Sequence, residues 1–447
     1  MKKEAQQPMA QAQGAKASTP TEALAKVGLP AERPGYKHTK LGWIPEEWKV
    51  LTLGSAFDFR NGYNADSTAY GRGVQFANVL EVITHPELNE ALIPGRVEIG
   101  PDAHDLNSVR HGDVLLNRTS ETPDEVGLTS VYTGTSTITF GGFVIRGRQT
   151  TDLFDIQFLK YGLRTSSVRK QIIAKSNGAV RSNIGQADLR QVLTSCPPLP
   201  EQLRIAQVLE AWDRAIATVQ QLLAAQQERK RGLMQELLTG KRRFPGFEGK
   251  WKEVRLHQLG AITNGGTPST TVDAYWNGDI PWFTPTEITA LNGRTTIANS
   301  ARMLTAAGLA NCTGSMLPVG SVIVCTRATV GIAAILTKPG TTNQGFKNIV
   351  PNEKVSSKFL YYQIMINAHA LQRLACGSTF PEVSMKDFRN LGVLIPERTE
   401  QDRICKMLDA MDLEIEAMND QITHLTTQKR GLMQVLLTGE KRLNMNN

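Results

Sequence analysis

The sequence predicts a mixed α/β (α+β) protein. Two globular domains in a pseudo-two-fold arrangement are separated by two long helices, which form an intramolecular antiparallel coiled coil. The main observation is a repeat. Residues 201–240 and 400–439 align without a gap at an offset of about 199 positions, with roughly 18 of 40 positions identical. Each copy has the period of a helix, and each follows a segment of about 150 residues, a common size for one domain.

Both repeats place apolar residues at alternating steps of four and three, a period typical of a coiled-coil seam. The seam positions are Ile205, Leu209, Trp212, Ile216, Val219, Leu223, Leu233 and Leu237 in the first copy, and Ile404, Leu408, Met411, Ile415, Met418, Ile422, Leu425, Leu432 and Leu436 in the second. Gln226 and Lys230 interrupt the first seam and Lys429 interrupts the second. Polar residues at such positions fix the register at a cost in stability. Gly240 and Gly439 stand where a helix C-cap glycine belongs.

The two seams match position for position, which favours helices that pack on each other over two independent surface helices. At about 1.5 Å per residue, a helix of about 38 residues is a rod of roughly 57 Å. The repeats therefore predict two long rods that pack on each other.

Composition and matching motifs divide the chain into six segments. These are a disordered tail at 1–36, a first globular domain at 37–199, a central helix at 200–243, a second globular domain at 244–397, a distal helix at 398–440 and a short tail at 441–447. The sequence GWIPEEWKVLTLG at 42–54 has a relative in FPGFEGKWKEVRLHQLG at 244–260. The duplication therefore covers the domains as well as the helices.

Each domain contains one apolar run that ends at a polar edge. Residues 112–116 precede Arg118, residues 320–324 precede Arg327, and both runs are typical of buried strands. Further along, Gly178, Asp188, Arg190 and Pro197 recur as Gly377, Asp387, Arg389 and Pro396. Short β-rich runs alternate with helical ones, which indicates a mixed α/β fold for each domain.

The formal net charge of +8 is compatible with a nucleic-acid partner but does not require one. The five cysteines show no paired spacing, which argues against a zinc site and favours the reducing cytosol. No apolar run approaches the ~18–20 residues of a membrane span, and the N-terminus lacks the apolar centre of a secretory signal.

The familiar catalytic motifs are absent from the sequence. There is no G-x-x-x-x-G-K-[ST] loop, no nucleophile elbow and no histidine at metal-ligand spacing. The acidic residues of the segment 118–125 resemble those of a metal-dependent nuclease, but no lysine at the usual spacing accompanies them, and a polar loop is the simpler interpretation. We expect a non-catalytic chain without a metal site or a cofactor of its own.

Several motifs resemble the specificity subunit of type I restriction–modification enzymes. The order of domain, helix, domain and helix is typical of that family. The matching motifs are IPEEW at 44–48, RFPGFEGKW at 243–251, GTP at 266–268, P-x-x-x-E-Q-x-R-I at 197–205 and 396–404, and KRGLMQ-x-LLTG at 230–240 and 429–439. The resemblance covers about 40–440. The first domain departs from the Gly-Thr-Pro motif, because it has Asn61-Gly62-Tyr63-Asn64 where the second has Asn264-Gly265-Gly266-Thr267-Pro268.

The resemblance implies a cytoplasmic DNA-binding subunit whose two globular domains are target recognition domains, each reading one half of a bipartite site in double-stranded DNA. It also implies that the helices set the gap and dock two modification subunits that carry S-adenosylmethionine and methylate adenine. Two motor-nuclease subunits that use ATP and Mg²⁺ complete the restricting complex.

Within this hypothesis, base and phosphate contacts need arginine, amide and hydroxyl side chains at a polar edge. The candidate DNA-binding residues are Arg118, Thr119, Ser120, Arg181, Ser182 and Asn183 in the first domain, and Arg327, Thr329, Ser378 and Thr379 in the second. The matched helix ends give the candidate partner-docking residues, which are Lys230, Arg231, Leu233, Met234, Lys429, Arg430, Leu432 and Met433.

Three other interpretations stay open from the sequence. In the first, the chain is a coiled-coil scaffold that does not bind DNA. In the second, it is a cryptic nuclease that uses the loop 118–125. In the third, it is a specificity subunit of a modification-only or fused restriction system. Salt-dependent DNA binding separates the first of these from a DNA reader.

Overall fold

The computed structural model describes residues 33–178, 181–291, 293–376 and 381–443. The chain divides into two compact units, one made of residues 1–216 and 424–447 and the other of residues 217–423. Each unit thus combines one globular domain with parts of both long helices. The predicted domain boundaries, which treat the helices as separate segments, stay predictions.

The first unit contains fourteen strands within the described residues. They are β1 Tyr36–Thr39, β2 Gly42–Pro45, β3 Lys49–Thr52, β4 Phe57–Asn61, β5 Tyr70–Ala77, β6 Glu87–Leu88, β7 Arg96–Val97, β8 Val114–Asn117, β9 Thr119–Ser120, β10 Thr129–Tyr132, β11 Thr139–Phe140, β12 Val144–Gln149, β13 Ser182–Asn183 and β14 Leu193–Cys196. The second unit contains β15 Lys252–Arg255, β16 Gly260–Asn264, β17 Trp276–Phe283, β18 Thr296–Ile297, β19 Met303–Leu304, β20 Val322–Cys325, β21 Ala333–Leu336, β22 Thr341–Thr342, β23 Phe346–Pro351 and β24 Gly392–Ile395.

Short helices surround these strands, and two long helices end the two domains. They are α1 Leu53–Ala56, α2 Val79–Thr84, α3 Pro101–Leu106, α4 Ile156–Gly162, α5 Ser166–Lys175, α6 Gln186–Arg190, α7 Leu199–Leu237, α8 Pro285–Thr289, α9 Ala306–Ala310, α10 Ser357–Ile366, α11 Ala368–Leu374, α12 Met385–Asn390 and α13 Arg398–Leu437. The long helices α7 and α13 have 39 and 40 residues, which confirms the two predicted rods.

The two units share the topology of their two main sheets. The first has a five-stranded sheet in the order β4-β12-β8-β10-β6 and a three-stranded sheet in the order β11-β5-β7. The second has β16-β23-β20-β21-β18 and β19-β17-β22. In both large sheets only the last strand is parallel to its neighbour. The structure therefore extends the repeat through the domains, where the sequence similarity is weak.

The predicted apolar runs form the centres of these sheets. All four residues of β8 are buried, and so are all four residues of β20. Gly112 and Gly320 precede them with φ angles of 87° and 85°. This left-handed conformation is easy for glycine, so each glycine allows the tight turn into a central strand.

The long helices pair in opposite directions within each unit. In the second unit Gln226 donates to Glu414 and Lys230 donates to Asp412, so residue numbers rise on α7 as they fall on α13. In the first unit Lys429 of α13 donates to Asp213 of α7. These contacts confirm an antiparallel pair, and they show that the polar seam residues have partners on the opposite helix.

A buried glutamate near the start of each long helix joins three parts of its unit. Glu201 accepts from Trp48 Nε1 at 2.9 Å and from Arg442 Nε and Nη2 at 3.0 and 2.9 Å. Its exposed fraction is 2%. The two hydrogen bonds from the Arg442 guanidinium satisfy the buried carboxylate, and they raise the pKa of Arg442 despite partial desolvation.

The second unit repeats this arrangement with other residues. Glu400, at 0% exposure, accepts from Arg243 Nε and Nη2 at 2.9 and 2.7 Å and from Trp251 Nε1 at 3.2 Å. The tryptophan lies near the start of the domain, the glutamate starts its helix and the arginine follows the end of the opposite helix. This explains the tryptophan, glutamate and arginine of the repeated motifs.

The glutamine next to each glutamate fastens the helix start to its domain. Gln202 Nε2 donates to the carbonyls of Leu153 and Pro197 at 2.8 Å, and its Oε1 accepts from Asp155 N at 2.8 Å. Gln401 makes the corresponding contacts in the second unit, with Lys354, Pro396 and Ser356. A buried amide with both ends satisfied strongly favours one helix orientation.

Part of the predicted N-terminal tail is described. Arg33 Nη2 donates to the carbonyl of Glu440 at 3.3 Å, and the Tyr36 hydroxyl donates to that of Gly439 at 2.8 Å. Residues 1–32 and 444–447 lie outside the described part of the chain. The glycines at the two helix ends, Gly240 and Gly439, have φ angles of 71° and 72°, as predicted for C-cap residues.

Candidate nucleic-acid interface

The first unit brings three separate segments together where β8 ends. Arg118 N donates to the carbonyl of Phe143 at 2.8 Å, and Ile184 N donates to the carbonyl of Arg118 at 3.0 Å. The chain at Arg118 is thus held between the turn before β12 and the segment that carries β13. We call the residues 61–64, 117–127, 141–143, 177–178 and 181–184 the first edge.

The two groups of predicted DNA-binding residues in this domain meet at the first edge. Ser120 is the antiparallel partner of Ser182, and Asn183 is the partner of Thr119. Thr119 Oγ1 also donates to Asn183 Oδ1 at 2.6 Å. The sequence placed these residues in two loops without relating them, and the structure makes them one surface.

The predicted residues of the first edge differ in exposure. Arg181 and Asn183 are exposed, Arg118, Thr119 and Ser182 are half-buried, and Ser120 is buried. The Ser120 hydroxyl donates to Glu125 Oε2 at 2.7 Å. The exposed Arg181 lies 3.3 Å from Glu121 in an exposed ion pair, which adds little stability and leaves the guanidinium available.

A half-buried arginine holds the loop of the first edge in place. Arg169 Nη1 donates to the carbonyl of Val126 at 2.5 Å, and its Nη2 donates to that of Asp124 at 2.8 Å. Desolvation of the guanidinium lowers the pKa of Arg169. The acidic loop 118–125 is therefore fixed by a positioning residue on α5 that the sequence did not reveal.

The second unit has the same hydrogen-bond frame at the end of β20. Thr326 N donates to the carbonyl of Gly345 at 2.9 Å, and Val383 N donates to the carbonyl of Thr326 at 3.0 Å. Residues 264–268, 325–331, 343–345, 376 and 381–383 form the second edge, and residues 377–380 lie outside the described residues. The predicted Ser378 and Thr379 fall in that gap.

The two predicted arginines are not equivalent. By these backbone contacts Thr326 occupies the place of Arg118, and Arg327 occupies the place of Thr119. Successive side chains of extended chain point to opposite faces, so Arg118 and Arg327 project from different faces of their edges. The two edges therefore share a backbone and present different chemistry.

Arg327 belongs to a charged cluster in the second edge. Its Nε lies 3.0 Å from Glu382 Oε2, its Nη2 also donates there, and Lys347 Nζ donates to Glu382 Oε1 at 2.9 Å. Burial works against the charged carboxylate, but the hydrogen bonds from Arg327 and Lys347 outweigh it and lower the pKa of Glu382. One carboxylate thus orients the arginine, whose side chain stays 40% exposed.

Backbone strain adjoins this cluster. Ala328 has a φ angle of 62°, a left-handed conformation that costs a non-glycine residue about 1 kcal/mol or more. The predicted Thr329 follows it and is half-buried. Strain of this kind concentrates at functional sites, which supports a role for the tip between β20 and β21.

The turn before β12 adds an exposed aromatic residue that sequence reasoning missed. Phe143 is 56% exposed, and Arg118 Nη1 donates to the neighbouring carbonyl of Gly142 at 3.3 Å. The corresponding turn of the second edge has Gly345 in its place and the exposed Gln344 before it. The paired glycines in the run STITFGGFVIRG were the available signal for this turn.

The motif that differs between the two domains lies beside these turns. Tyr63 N donates to the carbonyl of Phe140 at 2.8 Å, and Gly266 N donates to that of Thr342 at 2.8 Å. The hydroxyl of Thr267 donates to Gln344. The departure noted at Asn61-Gly62-Tyr63-Asn64 is therefore a change in the side chains of the candidate interface, with the backbone contact retained.

The predicted docking residues separate into three groups. Lys230 and Lys429 donate to Asp412 and Asp213 in the helix pairs. Leu233 and Met234 pack on the core of the second unit, as Leu432 and Met433 pack on that of the first. Arg231 and Arg430 are the predicted docking residues that are exposed, and Arg231 also lies 3.0 Å from the exposed Glu228 on its own helix.

Beside these arginines the helices expose glycine and glutamine. Gly232 and Gly431 lie inside α7 and α13, and a Cβ added to either would meet nothing within 4 Å. Glycine in a helix interior costs about 1 kcal/mol relative to alanine, and neither unit provides a packing reason for it. Gln235 and Gln434 are exposed one turn further on.

The described residues lack the features of two other kinds of site. No cluster of three or more histidine, cysteine, aspartate or glutamate side chains suited to a metal ion occurs in the described ranges. In the same part of the chain, none of the helices has the length and apolar character needed to cross a membrane.

Comparison with known proteins gives one consistent family. Residues 248–427 match the model of the type I restriction modification DNA specificity domain. A specificity subunit of the type I restriction enzyme MjaIX from Methanocaldococcus jannaschii is 34% identical over 38% of this chain and 40% of its own length. A putative MjaX specificity subunit of the same organism is 24% identical over 91% of this chain and 97% of its own.

A solved structure supports the fold. The HsdS subunit from Thermoanaerobacter tengcongensis superposes with a TM-score of 0.50 at 18% identity, over 89% of this chain and 98% of that one. The match to the MjaIX subunit spans less than half of that protein. These comparisons confirm the family resemblance predicted from the sequence.

Proposed function

Because residues 248–427 belong to the type I restriction modification DNA specificity domain family, we propose that this chain is the DNA-reading subunit of such a system. Each globular domain reads one half of a bipartite site in double-stranded DNA, and the chain itself is not catalytic. The observation that carries the proposal is the pair of edges, which share one hydrogen-bond frame and differ in the side chains they present.

The chemistry of the edges fits base and phosphate recognition. The first edge offers the guanidinium groups of Arg118 and Arg181 and the amide of Asn183, and the second offers Arg327 and Gln344. Arginine suits guanine and phosphate, and amides suit adenine. Two different sets of side chains on the same backbone hydrogen-bond frame are what recognition of an asymmetric DNA target requires.

The helix ends support docking of two copies of one partner. Arg231, Gly232 and Gln235 recur in exposed positions as Arg430, Gly431 and Gln434. An exposed helical glycine that nothing in its own unit requires permits close approach of another backbone. We place one modification subunit at each helix end, each of them bringing S-adenosylmethionine.

In this proposal adenine methylation is performed by the docked modification subunits. Any cleavage is performed by two motor-nuclease subunits that use ATP and Mg²⁺. The complex works in the cytoplasm, where the host DNA is. Whether nuclease subunits are present depends on the neighbouring genes, so a modification-only system keeps the same role for this chain.

The decisive experiment is to sequence methylated DNA from cells that express the chain with its modification subunits. We expect methyladenine in a motif of two short defined parts separated by an undefined gap of fixed length. An uninterrupted motif, or no methylation that depends on this chain, would contradict the proposal.

Binding measurements separate the alternatives. The assembled complex should bind DNA with an affinity that falls steeply with salt, which a coiled-coil scaffold without a DNA site would not show. Cleavage of DNA by the isolated chain with Mg²⁺ would instead favour the cryptic nuclease.

A further inference from the structure

Two tryptophans of the second unit hold one arginine. The guanidinium carbon of Arg302 lies 3.8 Å from the ring centroid of Trp276 and 4.8 Å from that of Trp282. The two rings meet edge to face, with centroids 5.2 Å apart and an angle of 87°. Stacking on aromatic faces restricts a long side chain that would otherwise sample many rotamers.

The charge of this arginine has no acidic partner in the described part of the chain. Arg302 is exposed, and no ion pair or side-chain hydrogen bond involves its guanidinium within the described ranges. Its backbone N–H donates to Ser300 Oγ at 3.2 Å. The guanidinium carbon lies over both indole rings, and its N–H groups donate to no acceptor among the described residues, so these donors are available to a ligand that approaches the exposed side chain.

The arginine lies beside the second edge. Trp282 is 3% exposed, and its Nε1 donates to the carbonyl of Gly266 at 2.8 Å. Gly266 N in turn donates to the carbonyl of Thr342. The indole that supports Arg302 is thus tied to the Gly-Thr-Pro turn of the candidate interface.

The first unit shows that the aromatic pair does not need an arginine to pack. Tyr70 and Phe76 form the same edge-to-face pair, at 5.5 Å and 71°. Phe76 N donates to the carbonyl of Gly95 at 2.9 Å, as Trp282 N donates to that of Arg302 at 3.1 Å. Glycine therefore occupies the place of Arg302 in the sister domain.

We infer that Arg302 is a DNA phosphate contact of the second domain, presented by Trp276 and Trp282 at the side of the second edge. This inference rests on the proposed function. A planar guanidinium with free N–H donors binds a phosphate through two parallel hydrogen bonds. Its place beside the edge, rather than on it, suits the sugar–phosphate backbone of the strand whose bases the edge reads.

The test is the salt dependence of DNA binding by the chain assembled with its modification subunits. Dissociation constants are measured between about 50 and 200 mM salt, on a duplex carrying the methylated motif and on an unrelated duplex of equal length. Arg302→Met keeps an apolar stem on the indoles and removes the charge. Arg302→Lys keeps the charge, and Arg294→Met is the matched control, because Arg294 is an exposed arginine of the same unit that lies 4.0 Å from Glu416.

We expect Arg302→Met to weaken binding to both duplexes by a similar factor and to reduce the slope of log K against log salt by about 0.9. Arg302→Lys should keep the slope, and Arg294→Met should match the wild type. Arg302→Gln serves as a second uncharged variant if thermal melting shows that Arg302→Met does not fold.

Two results would overturn the inference. An unchanged slope with a lowered melting temperature would make Arg302 a packing residue of the tryptophan pair. Weaker binding to the motif duplex alone, with relaxed preference at one guanine, would make it a base reader. If the wild-type complex itself shows no salt-dependent binding, the proposed function fails instead.

Discussion

Thr119 Oγ1 donates a hydrogen bond of 2.6 Å to Asn183 Oδ1, although 64 positions separate the two residues in the chain. This bond stabilises the first edge, because it joins the segment just after β8 to the segment that follows α5. The second unit joins the same places through Arg327 and Glu382. A polar pair in one unit is thus replaced by a charged pair in the other.

The first prediction concerns Phe143. An exposed phenyl group beside Arg118 suits contact with the 5-methyl group of thymine. We expect Phe143→Ala to weaken motif binding by roughly 10-fold, in the range of one good base contact. Replacing thymine by uracil in the first half-site should weaken binding to the wild type but not to the variant. Leu106→Ala, at a residue that is 52% exposed in the same unit, is the control and should change neither.

The second prediction concerns the buried carboxylate Glu201. Glu201→Ala leaves Arg442 and Trp48 without their shared partner, so we expect the free energy of unfolding of the first unit to fall by about 3 kcal/mol in urea titrations. Glu47→Ala is the matched control, because the exposed Glu47 lies 2.7 Å from the same Arg442. An exposed ion pair contributes about 1 kcal/mol or less. Equal losses in the two variants would argue against the buried contact as the main stabiliser.

The third prediction concerns the helix glycines. Gly232→Ala and Gly431→Ala should each stabilise the isolated chain by about 1 kcal/mol, because helix propensity improves and the Cβ meets nothing. The same variants should weaken capture of the modification subunit, which pull-down and calorimetry measure. Gln227→Ala, at an exposed position of the same helix, should leave capture unchanged. Undiminished capture by both glycine variants would remove the docking surface from these helix ends.

The fourth prediction follows from the lowered pKa of Glu382. Since the pKa in the folded state lies below its usual value of 4.5, the ionised carboxylate stabilises the second unit at neutral pH, and this contribution is lost as the pH falls through the folded pKa. The difference in unfolding free energy between wild type and Glu382→Gln should therefore be constant near pH 6–7 and shrink below about pH 4.5. A pH-independent difference would show that the charge of Glu382 contributes nothing.

The fifth prediction tests the helices as a spacer. Four residues inserted between Ala224 and Ala225, with four more after Ile415 opposite them, lengthen both helices by about 6 Å and one turn. The gap of the methylated motif should then grow by one or two base pairs, since ~10 base pairs span ~34–36 Å. An unchanged gap in an active complex would show that helix length does not set the spacing.

The sequence alone determined the features that depend on local pattern. The 3.5-residue period identified α7 and α13, the gap-free repeat predicted two related halves, and the apolar runs before Arg118 and Arg327 located the central strands. The polar seam residues were also recognisable, because a charge within an apolar stripe needs a partner. Their partners Asp213, Asp412 and Glu414 lie far along the chain and could not be assigned.

Only the tertiary structure decided which residues share a surface. Thr119 and Asn183 meet because β9 pairs with β13. Arg302 lies over the rings of Trp276 and Trp282 because β17 pairs with β19. Backbone contacts also placed Arg327 one residue out of step with Arg118, a shift that reverses the face of a side chain and leaves no trace in composition or spacing. Helix periodicity depends on residues that are close together in the chain. The side chains that share an edge are brought together by strand pairing between distant segments. Because the internal repeat is weak within the domains, no local pattern in the sequence identifies those pairings.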